Sequence, residues 1–145
     1  MKEQIIHRWN PHEEITPYIS LNEMKQTHFD LLLSFTLFKM SNYNIKRTGK
    51  IATFKFKNPF AVRYSIENDR IDLIKAKHID NGSIIEKPIW PLFIIENSTL
   101  LKWQKDLGAI VEYDEQRLTC YAFTEEEYLI EILCEKEPQI QIENE

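Results

Sequence analysis

The stretch RLTCYAFTEEEYLIEIL, residues 117–133, sets two runs of strand-forming side chains around three consecutive glutamates. Read as strands Arg117–Phe123 and Glu127–Leu133 joined by Thr124, Glu125 and Glu126, it pairs Ala122 with Tyr128, Cys120 with Ile130 and Leu118 with Ile132. Those six side chains are apolar and share one face. The other face pairs Tyr121 with Leu129, Thr119 with Glu131 and Arg117 with Leu133, a mixed and partly solvated surface. A slip of one residue would mix the two sets, so the pattern predicts an antiparallel hairpin in a defined register. A helix starting at Thr124 and capped by Glu127 is the second choice. In the favoured register Cys120 faces Ile130 and Cys134 lies past the end of the pair, too far for a disulfide.

Working outward, strands dominate. Gln4–Trp9 reads as a first strand, stopped by Asn10 and Pro11. Ser20–Glu23 has the spacing of a capping box and predicts a short helical turn. His28–Met40 suits either a helix or a strand; Phe29, Leu31, Leu33, Phe35 and Leu37 against Asp30, Ser34 and Thr36 favour the strand. Lys50–Lys57, Phe60–Ile66 and Arg70–Lys77 follow as a meander, separated by Asn58-Pro59 and by Glu67–Asp69. Asp80-Asn81-Gly82 is a turn. Trp90–Ile95 reads as a buried strand that runs into a helix over Ser98–Leu107. There Ser98 is the N-cap type, Leu100, Trp103 and Leu107 form the inner stripe, and Gly108 stands at the C-terminal stop. The expected fold is α+β: a predominantly antiparallel sheet of about six to eight strands with one or two helices packed on one face. Residues 1–145 suit a single domain, with 138–145 as a mobile acidic tail.

Composition narrows the chemistry. With 43% hydrophobic residues, including eight Phe, six Tyr and three Trp, the chain has enough apolar bulk to fold without metal or disulfide. Three glycines, Gly49, Gly82 and Gly108, are too few and too scattered for a phosphate loop or a dinucleotide turn. No histidine pair has ligand spacing and no CxxC occurs, so neither metal nor cofactor is expected. Serines lack a nucleophile elbow, and no catalytic residue stands out. Asp69, Asp72, Glu96 and Asp114 are carboxylates with no spacing to recommend them as an acid–base pair. His7 and His12, beside Glu13 and Glu14, read as polar surface. The leading residues MKEQIIHRWNPHEE lack the apolar core of a signal peptide, no stretch suits a membrane span, and only two cysteines occur; the expected location is the cytoplasm.

Charge is the remaining clue. The net charge is −5, yet the segment from Glu125 onward carries eight acids against Lys136 alone. Glu125, Glu126, Glu127, Glu131, Glu135 and Glu137 form a candidate acidic patch for a basic protein partner. Nucleic acid is disfavoured by that charge, although Phe54–Lys57, Phe60, Arg63 and Tyr64 interleave basic and aromatic residues. The leading expectation is therefore a non-enzymatic interaction module, of which an immunity-type inhibitor of a basic toxin is one instance. The alternative is a small-molecule binder or enzyme with a pocket between the sheet and the helix 98–107, drawing on Trp90, Glu96, Asn97, Ser98 and Trp103. Oligomeric state is not set by these patterns.

Overall fold

A computed structural model describes residues 2–108, 110–111 and 115–145. Its strands are β1 (Ile5–Arg8), β2 (Tyr18–Thr27), β3 (Asp30–Ser41), β4 (Asn44–Phe56), β5 (Ala61–Ile66), β6 (Lys77–Asp80), β7 (Ser83–Ile85), β8 (Leu92–Glu96), β9 (Thr119–Glu125), β10 (Tyr128–Cys134) and β11 (Gln139–Asn144). Two α-helices, α1 (Ile71–Ile74) and α2 (Thr99–Asp106), and a 3-10 turn at Glu67–Asp69 accompany them. The strands form a seven-stranded sheet in the order β5-β10-β9-β8-β1-β6-β7 and a four-stranded sheet in the order β11-β4-β3-β2. All neighbours are antiparallel except β1 and β6. The fold is α+β and dominated by antiparallel strands, with eleven of them where about six to eight were expected.

The smaller sheet follows from alternation. In β3, Leu31, Leu33, Phe35 and Leu37 point inward, and Ala52, Phe54 and Phe56 do the same from β4. Phe29, expected on that face, lies in the β2–β3 turn and is exposed. β4 starts six residues earlier than its Lys50 reading because Asn42 and Tyr43 both adopt positive φ and close a tight hairpin with β3. The larger sheet presents Phe123 to these side chains. Its ring stacks on Phe35 at 5.3 Å and meets Phe54 edge-on at 5.0 Å. Trp9 and Phe56 pack beside it, each also touching Tyr121.

Several expectations are overturned. Ser20–Glu23 lies in β2, where pairing with β3 outweighs the capping-box spacing; a bulge at Leu21/Glu23 marks the spot. Asn58-Pro59 does not turn β4 back on itself but carries the chain across to the other sheet, where β5 pairs with β10. The meander is therefore absent. Arg70–Lys77 is not a strand: Ile71–Ile74 makes one helical turn, and Arg70 and Asp72 are tied to each other by side-chain bonds. The last hairpin pairs Tyr128 with Glu125, Ile130 with Phe123, Ile132 with Tyr121 and Leu133 with Cys120. Its turn is Glu126-Glu127, with Glu126 at φ 52°. The expected register assumed one solvated face, whereas β10 is buried on both from Leu129 to Cys134. Cys120 and Cys134 consequently leave opposite faces of the sheet.

In α2, Ser98 Oγ accepts from the Leu101 N–H at 3.1 Å, and Gly108 adopts φ 80° beyond the last turn. Of the expected inner stripe only Leu100 is buried; Trp103 and Leu107 face solvent. Residues 138–145 are not a tail. Gln139–Asn144 pair with Lys50–Lys55 of β4, and Ile140 and Ile142 pack against the core. Removing 138–145 uncovers that edge and is expected to lower unfolding stability by about 2–4 kcal/mol. Urea denaturation checks this; an unchanged midpoint would return the segment to the status of a tail.

Candidate functional site

The six glutamates of the expected acidic patch part company. Glu131 is fully buried on the outer face of β10, the face that carries the helices. Arg63 from β5 grips it through two bonds of 2.9 Å, and Arg70 adds Nη2–Oε2 at 3.3 Å and a closer Nη1–Oε1 contact. Arg70 also holds Asp72 through two bonds of 3.0 Å. Thr99 Oγ1 donates to Asp72 at 3.0 Å, and Gln4 bridges Asp72 and the Thr99 N–H. Two cations thus balance two anions across β5, β10, α1 and α2. Burial works against the charges, but hydrogen bonds from Arg70, Gln4 and Thr99 hold the Asp72 carboxyl well below the usual carboxylate range. Those to Asp72 and Glu131 raise Arg70 above its ordinary value.

Glu125 is also buried, and its Oε1 accepts the Leu21 N–H at 2.9 Å beside the β2 bulge. Glu126 and Glu127 stand exposed at the β9–β10 turn, while Glu135 and Glu137 are exposed past the other end of β10, roughly 20 Å of strand away. Glu135 pairs with Arg117. Only the turn pair, Glu126 and Glu127, remains as an acidic feature on one spot.

The expected pocket residues are likewise spread along β8. Trp90 precedes the strand; its indole N–H donates to the Trp9 carbonyl at 2.7 Å and the Arg8 guanidinium lies 4.6 Å over its ring. Glu96 ends the strand and pairs with His7 at 3.3 Å. Asn97, at φ 57°, donates to the Glu3 carbonyl, and Ser98 is occupied as the N-cap. Trp103 is half exposed on α2. These five do not enclose a common space. Asp114 lies outside the described residues. The basic–aromatic stretch is divided as well: Phe54 and Phe56 are buried, and Arg63 is engaged by Glu131.

Two concavities lie elsewhere than the expected pocket, and of its five residues only Trp90 lines either of them. One is an open groove of about 470 Å³ between β2 and residues 87–91, walled by Tyr18, Phe38, Ile45, Ile89 and Trp90, with Glu126 in its lining. Two prolines, Pro88 and Pro91, bracket the Ile89-Trp90 wall; their spacing is the one available signal. The other is a cavity of about 490 Å³ on the outer face of the large sheet, beside α1. The sequence placed its pocket against α2 instead. Cavity residues come from six strands, from the 67–76 connection and from Lys87, a convergence that no local pattern announces.

The thiols are quiet. Burial, then Glu131, pushes Cys120 up to about 12, and burial also raises Cys134. Among the described residues no three His, Cys, Asp or Glu side chains gather as a metal site, and no helix is long and apolar enough to cross a membrane. Compared with known protein families, with curated proteins and with solved structures, the chain matches none.

Glu131→Gln leaves the buried Arg70 and the partly buried Arg63 guanidinium groups short of a partner and is expected to cost about 3–5 kcal/mol in urea unfolding. Because Asp72 titrates lower when folded than when unfolded, its contribution is complete above about pH 4–5 and is lost as pH falls below its unfolded pKa. Acid titration of stability is therefore expected to be steeper for the parent chain than for Asp72→Asn. Both cysteines are expected to react with a thiol reagent at neutral pH only at the rate of unfolding; rapid labelling of the native chain would contradict the burial.

Proposed function

We propose that this chain is a protein-binding module that takes an extended partner segment in the groove between β2 and residues 87–91. The segment carries an aromatic or branched side chain next to a lysine or arginine. One observation supports this reading above the others: an apolar groove has Glu126 in its lining, where the other two charges, Glu67 and Lys87, pair with each other. Tyr18, Phe38, Ile45, Ile89 and Trp90 supply the apolar wall. Glu126 lines it, and Glu127 follows in the same exposed turn. Ile89 and Ile45 are exposed at 73% and 55%, an unusual cost for a surface that meets only water. A chain of net charge −5 also speeds encounter with a basic partner.

In this reading the protein acts by binding rather than by catalysis, as a cytoplasmic module whose two thiols stay reduced inside the fold. An immunity-type inhibitor that covers a basic surface of a toxin is a concrete instance. The acidic contact shrinks from the six glutamates of the sequence reading to the Glu126–Glu127 turn.

Panning a random peptide display library against the folded chain tests the proposal. The expected result is enrichment of peptides with Lys or Arg beside Trp, Phe or Leu, whose affinity falls at least about tenfold on Glu126→Lys or Ile89→Arg. Both positions are exposed, so neither change threatens the core. Peptides without a basic residue, or peptides that bind both variants unchanged, would overturn it.

A further inference from the structure

An open sheet ends in edges, and each edge exposes a row of unpaired peptide groups. Of the four edges formed by the described strands, three carry a device that discourages further pairing. β7 is only three residues long. β2 is broken by the bulge at Leu21/Glu23 and presents Glu23 and Lys25 to solvent. β11 is entered through Pro138 and keeps Gln139, Gln141 and Glu143 exposed. β5 has none of these. It is six residues long, pairs with β10 without a register shift, and its one charged residue, Arg63, is held by Glu131.

The row that β5 presents is apolar and recurs at every second residue. Val62, Tyr64 and Ile66 are between 43% and 48% exposed, with Phe60 at 41% just ahead of them. Their partners on β10, Ile132, Ile130 and Tyr128, place them on the inner face of the large sheet, at its margin. Tyr64 stacks on Tyr128 at 5.1 Å. The peptide groups of the same three residues point to the free edge. The Glu67 N–H donates to the Glu127 carbonyl, which aims the odd positions at β10; in an antiparallel ladder the even ones then face away from it. Charges of opposite sign flank the row. Lys57 is exposed before it and Asp69 after it, and neither side chain has an ion-pair partner among the described residues.

We infer that β5 pairs antiparallel with β5 of a second copy of this chain, across a two-fold axis at Tyr64, joining two large sheets edge to edge. The occupant is a second copy because the strand is complementary to itself. With Tyr64 opposite its own counterpart, Val62 meets the partner's Ile66 and Arg63 meets the partner's Ser65. Every outward peptide group of the row then finds a partner, about six hydrogen bonds in all. No like charges face each other within the row. The same register carries Lys57 of each copy to the end of the strand where the other copy holds Asp69, so the unpaired charges become complementary. β5 contributes nothing to the lining of the groove, so this pairing and the partner segment proposed above are independent.

Sedimentation equilibrium of the full chain is expected to show a reversible dimer with a dissociation constant on the order of 10 μM, as suits a small interface. Tyr64→Lys, at a half-exposed position, sets like charges on the axis and is expected to weaken the dimer at least about tenfold. Lys57→Glu is expected to weaken it about threefold at low salt, and adding Asp69→Lys to restore it, a rescue that a merely damaged chain does not give. Oxidation reads the register. Tyr64→Cys is expected to form a disulfide-linked dimer, since such pairs hold their Cα atoms about 5.5 Å apart, whereas Val62→Cys does not meet itself and is expected to stay unlinked. A chain that remains monomeric up to about 500 μM would overturn the pairing and leave the edge to a strand of another protein. A dimer that Tyr64→Lys leaves intact, or Val62→Cys linking as readily as Tyr64→Cys, would overturn it too.

Discussion

A carboxylate with no exposure to water sits at the centre of this molecule's outer layer. Glu131 lies in the most enclosed strand, and it is tolerable there only because Arg63 and Arg70 reach it from two other elements. That requirement organises what surrounds it. Arg63 fixes β5 against β10, and Arg70 fixes the turn before α1. Asp72 then balances the second cation, and Thr99 and Gln4 satisfy the remaining bonds. An apolar residue at 131 would pack there without all this. The ionic version instead dictates where the irregular 67–76 segment must lie, which is the kind of positional specificity that buried charge provides.

Much of the architecture is legible in residue patterns, for a physical reason. β3, β8 and the inner half of β4 alternate or run apolar because each buries a face of known sign. The Ser98 cap and the Gly108 stop are local chemistry, and local chemistry is readable. The hairpin at 117–133 shows the limit. Two-face segregation is a sound guide to register only when one face meets water, and β10 meets water on neither. The run Leu129–Cys134, with a single acid inside it, fits several registers. Arg63 and Arg70, far off in sequence, select the place of that acid, and no window of the chain contains that information.

The two concavities were hidden for a related reason. Counting charge along the chain treats the segment from Glu125 onward as one object. In three dimensions it divides into a ligand for a β-bulge, the centre of an ion network, a turn and a far end. The groove and the cavity arise between segments rather than within them. Both are bounded by Glu67, Lys87 and Thr124, so the connection from β5 to β8 serves as a partition with a different concavity on each side. Trp90, singled out early as a wall, does become one, on the opposite end of β8 from its expected companions.

The order of strands has a kinetic meaning. β5 lies at one edge of the large sheet and, among the described residues, pairs only with β10, Arg63 and Glu131 standing 68 positions apart. The Leu21 N–H waits for a carboxylate 104 residues downstream. During synthesis, β2 to β5 leave the ribosome with sticky edges and unshielded Phe side chains long before β9 and β10 exist to cover them. Closing such loops late makes for slow folding through a transition state rich in distant contacts. The nascent chain is thus exposed to misassembly for longer than a helical protein of equal size, and holdase chaperones would find their substrate in that first half.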